Sequence, residues 1–256
     1  MGKDFYIGWK DEAPESNKKN IKRLLITLMV IISVIAMVLV VFSKSFTTHT
    51  FEFGQEKTFS GVLYVHPFPV LKLDKGQSPY KGNDYALLVG YGKFGASTYL
   101  QGAKIPKGDL SGKRVTISGT LIYGDGKVLI ELTEKEKSLL EIENTVPPSA
   151  FSEKNRATMN GEIIDPKCWF GVMKPAEGKV HKSCAIRCIS GGIPPVFRMG
   201  DSGSSYNYYV LLDETGNLLR EEILPYVGES IKVQGSLSEI NGWPVLEIDP
   251  DLIKYQ

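Results

Sequence analysis

Hydrophobic residues follow two patterns along the chain, one continuous run near the N-terminus and short alternating segments after about residue 50. The run covers residues 24–42, contains no charged residue and is interrupted only by Thr27 and Ser33. At 1.5 Å per residue such a helix nearly spans a hydrocarbon core of about 30 Å. The run is also longer than the apolar core of a cleaved signal peptide. We therefore predict a transmembrane helix over residues 22–43 that is retained as a signal anchor.

The basic residues around this run predict its orientation. Four of them stand directly before it: Lys18, Lys19, Lys22 and Arg23. Only Lys44 follows closely. Positively charged flanks stay in the cytoplasm, so residues 1–21 are expected there. The rest of the chain is then expected on the outer side of a bacterial cytoplasmic membrane, as periplasmic or extracellular domains, with the lipid bilayer contacting residues 22–43.

After residue 50 the alternating segments predict strands, and they occur in two similar sets. The first set comprises residues 112–121, a turn at 124–126 and residues 128–132; the second comprises residues 228–237, a turn at 241–242 and residues 245–248. Each set predicts a β-hairpin, with Gly119 or Gly235 inside its first strand. A glycine at that point is typical of a bend that curls a sheet into a barrel. Weaker matches pair residues 61–65 with 161–165, and 85–89 with 209–213.

These repeats predict a mainly β protein with two tandem barrels of the small Greek-key OB type. The first OB-like domain is expected over residues 50–143, and the charged segment 134–143 is expected to close it as a short helix. A proline-containing linker follows over residues 144–156. The second OB-like domain, residues 157–256, differs from the first by a helical insertion.

This insertion contains all three cysteines of the chain, Cys168, Cys184 and Cys188, together with His181. A helix over residues 180–190, ended by Gly191, would place His181, Cys184 and Cys188 on one face, because their spacing is i, i+3 and i+7. Cys168 could supply a fourth group if the preceding loop folds back. These four residues are the candidate metal ligands.

Three interpretations of the four residues stay open. Thiolates and imidazole suit copper, zinc or an iron–sulfur centre. Alternatively, one cysteine pair forms a disulfide and the remaining thiol is reactive because of a neighbouring cation. In the third interpretation the disulfide only tethers the insertion, and the last cysteine is a small buried hydrophobic residue.

The run from Asp165 to Pro195 contains Cys, then His-x-x-Cys-x-x-x-Cys, then Gly-Gly-x-Pro. It resembles a recurring element of small exported bacterial OB-like domains, over roughly residues 158–250. The resemblance implies an exported location and a shared role for these residues, and no particular reaction.

The amino-acid composition argues against two classes of protein. The 30 Lys and Arg residues balance 29 Asp and Glu residues, which argues against a nucleic-acid binder. Three cysteines also exclude a disulfide-dense scaffold. The segment from Gly90 to Gly95 matches the dinucleotide-binding pattern G-x-G-x-x-G, but no helical pattern follows it, so we interpret it as a loop.

Together these observations predict a membrane-anchored accessory subunit or assembly factor of an envelope redox system, holding a metal or cofactor through the Cys/His cluster. Its expected partner is a membrane protein complex, of a redox or respiratory kind. We expect this protein not to be an enzyme on its own. The alternative is a non-catalytic protein-interaction module in which the cysteines form a structural disulfide.

Overall fold

The structure is a computed structural model that describes residues 14–45, 49–103, 109–133, 137–145, 155–200 and 206–256. The chain divides into two compact units, Met1–Thr48 and His49–Gln256. The first contains helix α1, Glu15–Ser45. Its segment Asn17–Phe42 has a mean hydropathy of 3.2 and buries none of its surface. The expected apolar helix is therefore present, and it is long and apolar enough to span a membrane.

The second unit begins with a closed five-stranded barrel. Its strands are β1 (His49–Tyr64), β2 (Val70–Leu73), β3 (Tyr85–Val89), β4 (Lys113–Gly124) and β5 (Lys127–Leu132). They follow the order β1-β2-β3-β5-β4, and β4 pairs back onto β1 to close the barrel. The β3–β5 pair is parallel, and the other pairs are antiparallel. Helix α2 (Ala96–Gly102) connects β3 to the segment before β4.

A second barrel repeats this arrangement. Its strands are β7 (Asn155–Ile164), β8 (Val196–Met199), β9 (Asn207–Leu212), β10 (Ile231–Ile240) and β11 (Trp243–Ile248). Their order is β7-β8-β9-β11-β10, with closure between β10 and β7 and a parallel β9–β11 pair. A short strand β12 (Lys254–Tyr255) adds to β10. The prediction of a mainly β chain with two small barrels is thus confirmed.

Both predicted hairpins are present, as β4–β5 and β10–β11. Gly119 and Gly235 each occupy the point where the long strand pairs with a neighbour on both sides. A Cβ atom would lie 2.6 Å from the carbonyl oxygen of Glu131 at the first position and 2.2 Å from that of Glu247 at the second. These close approaches exclude a side chain, which explains why glycine stands inside both strands.

The charged segment at the end of the first barrel differs from the prediction. Leu139–Thr145 forms strand β6, which pairs with β4, instead of the expected short helix. Leu139 is buried and Ile142 packs against the same core of the first barrel, so pairing with β4 brings the apolar side chains of this segment onto the barrel. Residues 134–136 and most of the expected linker, 146–154, lie outside the described residues.

Each barrel has an apolar core of its own, and a third buried cluster joins the two barrels. A single cluster of buried side chains contains residues of the first barrel such as Leu87 and Ile122 together with Phe170, Tyr208 and Trp243 of the second. Cys168 and Cys188 belong to the same cluster. The cysteine insertion therefore lies at the contact between the barrels, which we call the seam.

Candidate metal centre at the seam between the barrels

The insertion joins β7 to β8 through two helical elements. A π-helical turn, Cys168–Val172, follows shortly after β7, and helix α3 spans Gly178–Ser190. The helix expected over residues 180–190 is thus confirmed, beginning two residues earlier. At its end the Gly191 N–H donates to the carbonyl of Arg187 at 3.0 Å. Gly192 then adopts a φ of +99°, which turns the chain toward Pro194.

The three cysteines converge at this seam. The Sγ atoms of Cys168, Cys184 and Cys188 all lie within 4.8 Å of one another. Cys184 and Cys188 are one turn apart on α3, and the π-helical turn brings Cys168 to them. Two thiolates bound to one zinc ion at 2.3 Å stand about 3.8 Å apart, so this cluster has the dimensions of a metal site. Cys168 and Cys188 are buried, and Cys184 is half-buried.

The predicted ligand His181 belongs to a second, overlapping group. Asp165, Cys168 and His181 offer ligand atoms that also lie within 4.8 Å of one another, and all three side chains are buried. The four predicted residues therefore converge as two triads that share Cys168. Sequence reasoning did not select Asp165. Its position at the end of a strand, three residues before a cysteine, was the only available signal.

Burial and neighbouring charges set the protonation of these groups. The pKa of the Cys168 thiol is raised far above its usual value by a hydrogen bond with Cys188, by burial and by the carboxylate of Asp165. Burial lowers the pKa of His181, so its imidazole is neutral at pH 7. Without a metal, Cys168 is therefore a thiol, and a metal ion would have to displace its proton.

Lys93, a residue of the first barrel, reaches the cluster. The Lys93 ammonium donates a hydrogen bond to the Cys184 sulfur at 3.0 Å, and this bond raises the pKa of Lys93. A lysine at this distance supplies positive charge beside the sulfur cluster. Sequence reasoning missed this residue, because 91 positions separate the two side chains.

Lys93 is positioned by the Gly90–Gly95 loop, which Lys167 anchors. The buried Lys167 ammonium donates to the carbonyl oxygens of Gly90 and Gly92 at 2.7 and 2.6 Å and pairs with Glu131. The loop thus directs carbonyl oxygens inward, opposite to what a phosphate site needs.

The interpretation of this segment as a loop is confirmed, with one correction. Helix α2 starts directly after it at Ala96, whereas no helical continuation was expected. The Gly95 N–H is already used, donating to the Gly191 carbonyl at 2.9 Å. A Cβ atom on Gly95 would lie 2.1 Å from the Gly192 oxygen, so this glycine permits contact between the barrels.

A polar network holds the π-helical turn from its other side. The Trp169 indole N–H donates to the Tyr208 hydroxyl at 2.9 Å, and that hydroxyl donates to Asp125 at 2.5 Å. His49 Nδ1 lies 2.9 Å from the Trp169 carbonyl oxygen. Asp125 stands in the β4–β5 turn of the first barrel, so both barrels fix the turn that positions Cys168.

Comparison with known proteins assigns the chain to no family. No protein-family model, curated protein or solved structure matches the chain. The role of the site is therefore inferred from its own chemistry, which offers a three-sulfur group and an Asp/Cys/His group, each able to hold a metal ion.

Proposed function

We propose that this chain is a membrane-anchored accessory subunit or assembly factor of an envelope redox system, and that it binds a thiophilic metal ion through Cys168, Cys184 and Cys188. The observation that carries the proposal is the convergence of three Sγ atoms within 4.8 Å. Soft thiolate ligands select copper(I), zinc and iron–sulfur clusters. Clusters of the last kind usually take four cysteine ligands, one more than the chain contains. Copper(I) and zinc therefore fit best.

If the barrels are exported, metal binding explains three adjacent thiols better than a purely structural role does. Unpaired thiols seldom persist in an oxidising compartment, and a bound metal protects them. Metal binding would bury the negative charge of the thiolates, and Lys93 places an ammonium 3.0 Å from the Cys184 sulfur to offset it. If the cysteines served only for packing or a disulfide, they would not need a lysine ammonium beside them.

The membrane part of the proposal rests on α1. The apolar segment and its basic N-terminal flank favour a single-pass anchor with residues 1–21 in the cytoplasm and both barrels outside. An anchor of this kind keeps the cluster near membrane complexes, which are the partners we propose.

The barrel topology supports the assignment of both barrels as OB-like. Their shared strand order, with closure of the first strand on the fourth and a parallel third–fifth pair, fits a five-stranded Greek-key barrel. In OB barrels the loops between strands one and two and between strands four and five carry ligand sites. In the second barrel the loop between strands one and two, which joins β7 to β8, is the cysteine insertion. In the first barrel the loop between strands four and five, which joins β4 to β5, contains Asp125, and Asp125 contacts Tyr208 beneath the insertion.

Metal content and thiol reactivity of the full chain test this proposal. The protein is purified in detergent without oxygen, and copper and zinc are measured by mass spectrometry. We expect one tightly held ion in the wild type and its loss in Cys184→Ser. Ser183→Ala, an exposed neighbour on the same helix, is the matched control and should retain the ion. Full metal retention in Cys184→Ser would eliminate this ligand set.

The second candidate function is a non-catalytic protein-interaction module stapled by a disulfide. The proximity of Cys168 and Cys188 favours it, because these two buried sulfurs lie within 4.8 Å of each other inside the insertion. Oxidation of this pair would tie α3 to the π-helical turn and leave Cys184 free. A count of one thiol after denaturation, with no metal, would select this function. Three thiols after denaturation would exclude the disulfide.

A further inference from the structure

Two buried polar atoms beside the sulfur cluster lack hydrogen-bond partners. They are Asp165 Oδ2 and His181 Nε2, and their residues are 0% and 4% exposed. The other carboxylate oxygen of Asp165 is satisfied, since it accepts the Lys167 N–H at 2.9 Å. A buried polar atom without a partner costs about 1–3 kcal/mol, and native proteins keep few of them. Two such atoms in one group indicate that a ligand belongs between them.

The chemistry of this group identifies the kind of ligand. Asp165, Cys168 and His181 bring one oxygen, one sulfur and one nitrogen ligand atom within 4.8 Å of one another. Zinc-type divalent cations accept all three, at about 2.0–2.3 Å, and in open sites they keep a further position for water or substrate. Copper(I) prefers the purely sulfur-containing triad next to it.

We propose that the seam holds two metal ions, one in the Cys168–Cys184–Cys188 triad and a second, divalent ion in the Asp165–Cys168–His181 triad, with the Cys168 thiolate bridging them. This inference rests on the proposed function, because Cys168 serves both positions. A shared sulfur about 2.3 Å from each ion would keep the ions within about 4.6 Å of each other, a range that includes the roughly 3.5–4 Å usual in two-metal sites.

The formal charge of the seam agrees with two ions. Three thiolates and the Asp165 carboxylate sum to −4, and the Lys93 ammonium reduces this to −3. One monovalent copper ion and one divalent ion supply +3, which balances the charge of these five groups. With all three thiols deprotonated, either ion alone leaves these groups with a net negative charge. Because uncompensated buried charge is strongly unfavourable, the pair of ions explains a carboxylate beside three thiolates.

Sequential loading of the full chain in detergent, without oxygen, tests the proposal. The metal-free protein is first titrated with copper(I) and then with cobalt(II), a coloured substitute for zinc. We expect one equivalent of each in the wild type. Cobalt should show the intense bands of a tetrahedral site and a sulfur-to-cobalt charge-transfer band, because Cys168 is one of its ligands.

Substitutions separate the two positions. Asp165→Asn should leave copper binding intact and weaken cobalt binding by at least about tenfold, the smaller of the effects known for metal-site partners. His181→Gln should do the same, and it keeps the test decisive if Asp165→Asn fails to fold. Cys184→Ser should weaken copper and keep cobalt. Glu177→Gln, a carboxylate of the same insertion outside both triads, is the control and should change neither.

The outcomes distinguish this inference from the proposed function. If the wild type binds copper(I) but no cobalt(II), the second position is refuted and the three-sulfur site stands. The same conclusion follows if cobalt binds equally well to Asp165→Asn and His181→Gln. If the wild type binds cobalt with the stated dependence but no copper(I), the three-sulfur proposal fails while the mixed site stands. Binding of neither ion refutes both.

Discussion

Replacing Lys167 by methionine tests how the two barrels are held together. Lys167 is 4% exposed, pairs with the equally buried Glu131 and donates to two carbonyl oxygens of the Gly90–Gly95 loop. Methionine has a similar length and no charge, so Lys167→Met removes the ammonium with little change of volume. It also leaves the Glu131 carboxylate buried without its counter-ion.

The expected loss of stability is large. Breaking a buried ion pair by removing one partner costs about 3–5 kcal/mol. We take this range for the whole variant, because the ion pair and the two carbonyl bonds share one donor group and are not additive. Against a total of about 5–15 kcal/mol for a typical folded domain, this is a substantial fraction. With a urea slope near 3 kcal/mol/M, the unfolding midpoint should fall by about 1–2 M.

Urea unfolding of the full chain in detergent, followed by tryptophan fluorescence, measures this effect, since Trp169 and Trp243 are both buried. Lys57→Met is the control. It removes the lysine of a more exposed pair, 2.6 Å from Glu52, and should cost less than about 1 kcal/mol. Adding Glu131→Leu to Lys167→Met should recover part of the loss, because no buried charge then stays unpaired. A single variant as stable as the wild type would refute this reasoning, and so would a double variant less stable than the single.

Three further predictions concern the seam. Gly191→Ala should destabilise the protein by about 1–3 kcal/mol in the same urea assay, because its Cβ would lie 1.8 Å from the Lys93 carbonyl oxygen. Gly171→Ala, whose Cβ would meet nothing closer than 3.4 Å, should be near neutral, and equal losses would count against the clash. Lys93→Gln should weaken metal binding to the three-sulfur site about fivefold, or about 1 kcal/mol, at low ionic strength. The difference should shrink in high salt, and a difference that persists there would exclude an electrostatic cause. Finally, metal affinity should fall as the pH falls from 8 to 6, because protons compete for Cys168, whose thiol pKa is raised. Titration with a competing chelator measures this, and an affinity independent of pH would contradict thiolate ligation.

Several features follow from short stretches of sequence alone. The uncharged run of residues 24–42 predicted the apolar helix, and alternation around glycine-containing turns predicted both hairpins. The helix predicted over residues 180–190, with Gly191 as its stop signal, is present as α3. These features depend on backbone preferences and on side chains a few positions apart, which the sequence displays directly.

The composition of the candidate site depended on tertiary structure. The charged segment after β5 forms strand β6 and not a helix, because it pairs with an edge of β4 that the local sequence does not reveal. Lys93 reaches Cys184 only because the Gly90–Gly95 loop packs against the end of α3, and the unpartnered oxygen of Asp165 is evident only once the barrels enclose it. Packing between distant segments selects such contacts, and no local pattern encodes them. The sequence by itself therefore identified Cys168, His181, Cys184 and Cys188 as candidate ligands, and the packing of the two barrels against each other decided that Asp165 and Lys93 join them.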